Sequence, residues 1–412
     1  RIADRGKEAN LMEGNEYMEK GGGFEARLSE IRRRLHQCPE LDFALDETSA
    51  VVEEVLKELG IPWRRLAGSG IAALLEGRGH GRTVLLRADM DGLPVDEEND
   101  VPWRSQNPGK MHACGHDVHM ACLLGAARKL SERKQDFSGK VLFVFQPAEE
   151  TSGGALPMLE EGLLNGVWPD GAFALHCDPF LPAGMVGVHS GSFRAASDMF
   201  DCVIRGRGTH GAEPHNGDDV IAMACRVISA LHELVGRTVS PADAAVLSVG
   251  SFHAGSARNI LPERASFSGI LRTLDEQVRI SLKARIRRTV MNIPDILGAV
   301  GEIQFTEGYP VLRNDPGMAA LVAAAASEVL GAENVVPLVK PSMGVDDFAY
   351  FLQRIPGCYF MLGTGKGDGN GNGTEEAPLH SPRFFPDERC LAAGADVLVR
   401  TALSVLGGDH QK

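Results

Sequence analysis

Three short apolar runs, each followed by side chains that bind metals or protons, constrain the fold of this chain most strongly. The runs at 83–86, 141–145 and 171–175 are almost continuously apolar, which is typical of strands buried within a sheet. The side chains that follow them are Asp89, then Glu149 and Glu150, then His176. Because open α/β sheets build sites beyond the carboxyl ends of their strands, the sequence predicts one site at these strand ends.

A second constraint is the segment 111–119, which places one thiol, three imidazoles and a carboxylate within nine residues. Histidine and cysteine gain little from packing in a polar turn that contains glycine. Neutral imidazole and thiolate are instead good ligands for zinc and similar divalent metals. Further along the chain, His380 lies in a loop between two prolines. Cys114, His116 and His380 are therefore candidate metal ligands, together with the residues at the strand ends.

The same residues admit other roles. Cys114 and His116 could form a polar turn around a buried thiol, and Cys114 could also be a nucleophile activated by His116. The nucleophile alternative needs a third orienting group and leaves the acidic pair and the two distant histidines without a role. Those groups could themselves be surface carboxylates and loop histidines. His112 and His119 suit a structural or supporting role better than ligation.

Length, charge and cysteine usage exclude several classes of protein. A chain of 412 residues exceeds one typical core, so two domains are expected. The formal net charge of −13 argues against a nucleic-acid partner and against an anionic membrane surface. No stretch reaches the roughly 20 apolar residues needed to span a bilayer. The eight cysteines are scattered, which predicts reduced thiols and a cytoplasmic location.

The order of predicted elements changes twice along the chain. Strands and helices alternate over 24–194, including a helix at 155–164, which predicts a mainly parallel sheet with helices on both faces. Over 195–308 the order becomes βαββαβ, the ferredoxin-like unit. Alternation resumes over 309–412. The predicted fold class is an α/β catalytic domain interrupted by a ferredoxin-like insertion, which would serve as a lid or dimerisation domain.

Two segments are expected to be flexible. The first 23 residues are mostly polar and end in three glycines, as in a flexible arm or a tag remnant. Glycine alternates with polar residues over 365–373, which predicts a mobile loop just before His380.

Eight motifs, taken together and in this order, resemble the amidohydrolase branch of the aminoacylase/carboxypeptidase zinc metallopeptidases. That branch includes N-acyl-L-amino-acid amidohydrolases, hippurate hydrolases and auxin-conjugate hydrolases. The resemblance covers nearly all of 24–406, and only the Cys-Gly-His-Asp motif would be specific by itself. The motifs lie at 87–94 (Arg-Ala-Asp-Met-Asp-Gly-Leu-Pro), 111–117, 145–150 (Phe-Gln-Pro-Ala-Glu-Glu), 175–176, 206–215, 258–263, 342–348 and 379–382.

The resemblance implies a centre of two divalent metal ions. Its ligands would be Cys114, His116, Glu150, His176 and His380. Glu149 would act as general base, and Asp89 would orient a ligand unless it caps a helix instead. Thiolate ligation favours zinc, although manganese, cobalt and nickel also suit a mixed nitrogen, oxygen and sulfur site.

The resemblance also implies three residues that act on the substrate. His210 would stabilise the oxyanion or contact the substrate, in its own active site or in a partner's. Asn259 and Arg272 would hold the free carboxylate of the substrate, since an arginine fork matches a carboxylate. The alternatives are that His210 lies in an exposed turn and that Arg272 forms a salt bridge between domains.

The expected activity is metal-dependent hydrolysis of the amide bond of small-molecule N-acyl-L-amino acids, which releases a carboxylic acid and a free amino acid. An enzymatic alternative is a dipeptidase or carboxypeptidase with the same dinuclear centre. A non-enzymatic alternative is a metal-dependent binding protein, against which the acidic residue Glu149 argues. The insertion has strands that could pair edge to edge, so a homodimer through the lid domain is also expected.

Overall fold

The computed structural model describes residues 23–367 and 376–407. The predicted flexible arm, apart from Gly23, and most of the predicted loop at 365–373 lie outside the described residues. The chain divides into two compact units. The first contains the described residues of Arg1–Ser190, Asn314–Val339 and Phe351–Lys412, and the second contains Gly191–Arg313 and Lys340–Tyr350. Among the described helices, none has the length and apolar character to cross a membrane.

Helices and strands alternate through much of the described chain. The helices are α1 (Phe24–Gln37), α2 (Asp46–Glu58), α3 (His116–Glu132), α4 (Ala155–Glu160), α5 (Val220–Thr238), α6 (Glu276–Ile296), α7 (Pro316–Leu330), α8 (Ala349–Leu352) and α9 (Cys390–Leu406). The strands are β1 (Trp63–Leu66), β2 (Gly70–Glu76), β3 (Thr83–Asp89), β4 (Lys140–Gln146), β5 (Gly171–Pro182), β6 (Val186–Val188), β7 (Gly191–Arg194), β8 (Ala196–Arg205), β9 (Thr209–His210), β10 (Ala245–Ala254), β11 (Ile260–Leu261), β12 (Arg264–Thr273), β13 (Val300–Glu307), β14 (Leu312–Asn314), β15 (Val335–Pro337) and β16 (Gly357–Gly365).

The first unit is built on an eight-stranded sheet in the order β1-β2-β4-β3-β5-β16-β6-β15. Its central strands β4, β3, β5 and β16 run parallel to one another. Antiparallel pairing is confined to β1 with β2, β2 with β4, and β16 with β6. The predicted fold class, a mixed α/β fold with a large and mostly parallel sheet, is confirmed.

The two faces of the central strands have different contents. On β4, Val141, Phe143 and Phe145 point into an apolar core shared with α1, α2, α3, α7 and α9. Because side chains alternate along a strand, Arg87 on β3 and Gln146 on β4 point the other way. Both are buried, and the Arg87 guanidinium donates a 2.9 Å hydrogen bond to the Gln146 amide oxygen. Asp89, two residues beyond Arg87 on β3, and His176 on β5 lie on this same face, next to the candidate site.

The second unit has the element order β8, α5, β10, β12, α6, β13, with the sheet order β10-β12-β8-β13 and antiparallel pairing throughout. This is the ferredoxin-like βαββαβ arrangement. One face of the sheet packs on α5 and α6, where Phe200, Val227 and Ile286 are fully buried. Aspartate caps both helices: Asp219 accepts from the Ala222 amide, and Asp275 accepts from the Val278 amide. The role of this unit as a lid stays a prediction.

Helix α4 is shorter than the sequence suggests. The apolar spacing over 155–164 predicts a helix, but α4 ends at Glu160. Gly162 lies just beyond it with φ 86°, a left-handed conformation that glycine adopts without steric cost. The helix therefore ends before the apolar spacing that predicts it, which continues to residue 164.

Candidate metal centre

The turn before helix α3 carries two of the candidate ligands. Gly115 separates Cys114 from His116 and has φ 87°. A β-carbon at this position would lie 2.6 Å from the Cys177 sulfur, so only glycine fits without a shift. Cys114 and His116 are consequently presented on a backbone that is fixed by close packing, and both side chains are buried.

The five predicted metal ligands lie together in the first unit. The Cys114 sulfur is 3.5 Å from His176 Nε2. Glu150 Oε1 is 3.7 Å from His116 Nε2 and 3.3 Å from His380 Nε2. Cys114, His116 and His176 offer ligand atoms that all lie within 4.8 Å of one another, as do Cys114, Glu150 and His380. The cluster can therefore hold metal ions.

Several polar atoms of this cluster are buried without a hydrogen-bond partner. Within the described part of the chain, neither ring nitrogen of His116 makes a hydrogen bond, and neither does Glu150 Oε1. Buried polar atoms are normally paired, because leaving them unpaired costs their full desolvation energy. Imidazole, carboxylate and thiolate are the donor set that zinc and similar cations take, so these residues fit a divalent metal.

The electrostatics of the cluster also favour a cation. Burial alone would favour neutral imidazole, yet the carboxylates of Asp89, Asp91 and Glu150 raise the pKa of His116 to about 10. Burial, reinforced by Glu150 and Glu149, raises the pKa of the Cys114 thiol well above its usual value. The excess of carboxylate charge thus attracts a positive charge and disfavours an isolated thiolate. The alternative of Cys114 as a nucleophile activated by His116 loses support for this reason.

Asp89 and His119 form a supporting pair beside the cluster. Asp89 lies at the end of β3 rather than at a helix N-terminus, and its carboxylate accepts from His119 Nδ1 at 2.6 Å and from Arg87 at 2.6 Å. His119 Nε2 accepts from the backbone amide of Cys177 at 2.9 Å. With both ring nitrogens engaged, His119 supports the structure. Asp89 Oδ2 is 3.7 Å from His116 Nε2.

His112 is buried in the same segment, and its ring nitrogens have no hydrogen-bond partner among the described residues. Burial lowers the pKa of His112 to about 3. The ring is therefore neutral.

Asp91 is a positioning residue that the sequence reasoning missed. Its two carboxylate oxygens accept from the backbone amides of Glu149 and Glu150, at 3.0 and 3.1 Å. Asp91 Oδ1 also lies 3.5 Å from His116 Nδ1. One buried carboxylate thus orients both adjacent glutamates and faces a candidate ligand. Its place just after a strand, in Asp-Met-Asp-Gly, was the available signal.

The loop that carries His380 is hydrogen-bonded to the segment that ends in Cys114, Gly115 and His116, which we call the cysteine turn. His380 has φ 66°, an uncommon conformation for a residue other than glycine. Its backbone amide donates a 2.8 Å hydrogen bond to the Ala113 carbonyl. The candidate ligands Cys114 and His380, 266 positions apart in the sequence, are therefore brought together by a backbone hydrogen bond as well as by their side chains.

The remaining predicted site residues belong to the second unit. His210 on β9 pairs with Ile260 on β11, and the Asn259 carbonyl accepts from the Gly211 amide at 2.8 Å. His210 and Asn259 are therefore neighbours on an exposed two-stranded ribbon. His210 Nδ1 accepts from the Ala212 amide at 3.1 Å, so a proton on this ring sits on Nε2.

Arg272 lies elsewhere in the same unit. It pairs with Ser197 and Val246 near the carboxyl end of β12, whereas the ribbon of His210 and Asn259 adjoins the other end of that strand. Its guanidinium makes no hydrogen bond or ion pair among residues 23–367 and 376–407, and burial lowers its pKa. The arginine is therefore half-buried and unpaired.

Known proteins are similar to this chain over most of its length. The sequence pattern of peptidase family M20/M25/M40 matches residues 85–404. Thermostable carboxypeptidase 2 of Saccharolobus solfataricus is 39% identical over 374 residues, which are 89% of this chain and 92% of the relative. N-acetyl-L-cysteine deacetylase of Bacillus subtilis is 38% identical over 389 residues, which are 94% of this chain and 90% of the relative.

A solved structure shows the same fold. It is a dinuclear metal-binding peptidase of the M20 family from Bacillus subtilis, and it is 34% identical to this chain. The match covers 93% of this chain and 98% of that structure, with a TM-score of 0.81. The resemblance seen in the sequence motifs is thus confirmed. This chain is a hydrolase that belongs to peptidase family M20/M25/M40.

Proposed function

We propose that this enzyme hydrolyses the amide bond of N-acyl-L-amino acids with a dinuclear metal centre. The observation that carries the proposal is the set of buried, unpaired ligand atoms on His116 and Glu150, close to a thiol and two further imidazoles. The proposed ligands are Cys114, His116, Glu150, His176 and His380.

Glu149 is the proposed general base. It is buried beside Glu150, and its ligand atom lies within 4.8 Å of those of His116 and Glu150. The bound metal pair would polarise the amide carbonyl and make a water molecule more acidic. Glu149 takes the proton of the attacking water and delivers it to the leaving nitrogen. Because Asp91 holds the amides of both glutamates, the two carboxylates can keep separate tasks.

Zinc is the proposed metal. Thiolate is a soft ligand, and the mixed sulfur, nitrogen and oxygen set suits zinc best. Manganese, cobalt and nickel are the alternatives for the same ligands, and metal analysis decides among them.

Arg272 is the proposed partner of the substrate carboxylate. An unpaired and half-buried guanidinium gains more from a bidentate carboxylate than one already paired. Asn259 is also proposed for this task, but Arg264 and Arg272 are about 26 Å apart along β12 at the usual rise per residue, and the ribbon with Asn259 adjoins Arg264. We therefore infer that Asn259 and Arg272 of one chain do not share one small carboxylate.

This separation favours a homodimer in which His210 and Asn259 serve the active site of a second copy. His210 would donate Nε2–H to the developing oxyanion there. Mixing Glu149→Gln subunits with His210→Ala subunits tests the idea, because a mixed dimer then contains one intact site. Regained activity after subunit exchange supports action in a partner. An inactive mixture, with mixed dimers present by native mass measurement, contradicts it.

The test of the reaction is metal analysis coupled to a substrate panel. We expect two divalent ions per chain and preferred turnover of N-acetyl- or N-benzoyl-amino acids. Preferred turnover of aminoacyl-amino acids would instead establish the dipeptidase or carboxypeptidase alternative, which the name of the Saccharolobus relative keeps open. A fully metallated protein that is inert towards the whole panel would mean that the protein only binds its ligand.

A further inference from the structure

A buried network of charged residues lies behind the cysteine turn. His36 on α1 is 1% exposed and stands between two carboxylates. Its Nδ1 is 2.8 Å from Asp117 Oδ2, and its Nε2 is 3.1 Å from Glu97 Oε1. Arg32 Nε lies 2.7 Å from the same Asp117 oxygen. We call Arg32, His36, Glu97 and Asp117 the His36 network.

The network has balanced charge. Ionised carboxylates only accept hydrogen bonds, so an imidazole that bonds to one on each side must donate from both nitrogens. The 3.3 Å approach of Arg32 Nη2 to His36 Nδ1 is then not a hydrogen bond, and Arg32 Nη1 also lies 3.5 Å from Glu388, outside the network. The doubly protonated ring and the Arg32 guanidinium then neutralise Asp117 and Glu97. All four side chains are nine-tenths or more buried, so each charge depends on its partners in the network.

One end of the network fixes the cysteine turn. Asp117 directly follows His116 and lies in the first turn of α3. Two cationic side chains from α1 therefore hold the residue next to a proposed ligand. Since helix α3 presents His116 from its first turn, the position of Asp117 sets the position of that imidazole.

The other end fixes the loop of His380. Besides His36, Glu97 accepts from the Ser105 amide at 2.7 Å and from the Asn99 side chain at 3.2 Å. The Asn99 side chain also donates to the Phe384 carbonyl at 3.1 Å, and the Glu98 amide donates to the Pro382 carbonyl at 2.9 Å. Hydrogen bonds thus connect the segment around Glu97 to the loop that follows His380.

These hydrogen bonds matter because the backbone of the loop is strained at His380. The left-handed backbone of His380 persists only if its surroundings determine it. The network connects those surroundings to the turn of His116, 264 positions earlier in the chain. His36 is the only side chain of the network that contacts both carboxylates, Asp117 and Glu97, in the described part of the chain.

We propose that His36 and Glu97 are positioning residues of the metal centre, which hold the His380 loop and the Cys114–His116 turn in register and thereby set the affinity for the metal ions. The inference rests on the proposed metal centre but not on its substrate. Groups that orient metal ligands without touching the metal typically contribute 10–100-fold in metal affinity. The network therefore acts on the centre through two backbone segments at once.

The test is cobalt(II) titration of the metal-free full-length protein. Binding is followed by the thiolate-to-cobalt absorption band, which reports the Cys114 ligand directly. We expect His36→Ala and Glu97→Ala to weaken cobalt binding roughly 10–100-fold and to alter this band. Glu97→Gln keeps an oxygen acceptor in place and should restore most of the affinity. Glu97→Ala lies on a loop, so it keeps the test available if His36→Ala does not fold.

Ile61→Ala is the matched control. Ile61 is buried in the same unit but does not belong to the network, so its truncation destabilises the protein without displacing the network. Wild-type affinity and spectrum in both network variants, or a loss no larger than in Ile61→Ala, would overturn the inference while leaving the proposed function intact. If the wild-type protein bound no cobalt, the proposed metal centre itself would be wrong, and the inference with it.

Discussion

The two units bury charged groups in contrasting ways. In the second unit, Arg279 holds Asp198 with two hydrogen bonds of 2.8 and 2.9 Å, and Lys283 adds a third at 3.2 Å. In the first unit, both ring nitrogens of His116 and Glu150 Oε1 are buried and have no hydrogen-bond partner among the described residues. One arrangement is complete within the chain, and the other leaves room for an additional cation.

This contrast distinguishes a charged pair that stabilises the fold from a cluster that could bind a ligand. A buried ion pair with good geometry can repay its desolvation, and removal of one partner harms folding because the other charge is left buried and unpaired. A cluster of unpaired ligand atoms costs stability until a ligand binds, so the presence of such a cluster indicates a binding site. The Asp198 pair and the proposed centre should accordingly respond to mutation through different measurements, folding for the first and metal content or turnover for the second.

The largest expected effect is on turnover. Glu149→Gln should lower kcat about 10²–10⁴-fold, because the amide cannot accept the proton of the attacking water. Metal stoichiometry should stay that of the wild type. Steady-state kinetics together with metal analysis measure both. A variant that keeps near wild-type kcat would remove Glu149 from the mechanism.

The next effect concerns folding of the second unit. Arg279→Met should lower the free energy of unfolding by about 3–5 kcal/mol, because Asp198 would be left buried without its main partner. Denaturant unfolding measures the change. Arg205→Met is the matched control, since its pair with Glu302 is half exposed and should contribute about 1 kcal/mol or less. Equal losses in the two variants would contradict the special contribution of the buried Asp198 pair.

Metal content should respond to the loss of a proposed ligand of the first unit. His380→Ala removes one of five proposed ligands and should reduce the bound metal to roughly half of the wild-type amount. Elemental analysis of the purified protein measures it. His80→Ala removes an exposed histidine of the same unit and should change nothing. Full metal retention in His380→Ala would exclude this histidine from the centre.

The smallest effect is a dependence on acidity. Burial disfavours the charged form of Asp198, but the hydrogen bonds from Arg279 prevail and lower its pKa below the ordinary value. A depressed pKa means that the stabilisation is present above about pH 4, near the unfolded value, and is lost as the pH falls through the lower folded value. The difference in unfolding free energy between wild type and Asp198→Asn should therefore shrink on acidification. A difference that does not vary with pH would contradict this assignment.

Much of the fold could be predicted, because the strong patterns were local. Apolar runs such as 83–86 and 141–145 mark β3 and β4 to within a few residues. The central strand β16 was overlooked, although its run from Cys358 to Leu362 carries the same signal. The partner strands of β16 were not readable, since pairing with β5 and β6 depends on contacts far apart in the sequence.

The residues of the candidate site also fall into those that local sequence patterns predict and those that depend on distant contacts. Cys114 and His116 stand out because thiol and imidazole are crowded into one turn. The strand ends and the loop between two prolines add the distant candidates, which the family resemblance joins into one ligand set. His36 escaped notice because a single histidine has no distinctive local pattern, and Asp91 because its place just after a strand does not reveal its partners. Their roles come from hydrogen bonds to backbone amides and to carboxylates far away in sequence, which only the folded chain reveals.

The close contact between Gly115 and Cys177 has a consequence for protein engineering. Any attempt to retune the metal preference has to leave this glycine untouched, since a side chain there would meet the Cys177 sulfur. The adjustable position is its neighbour. If Cys114 binds metal as proposed, replacing it with aspartate would exchange a soft donor for a hard one on an unaltered scaffold, and should favour harder cations such as manganese.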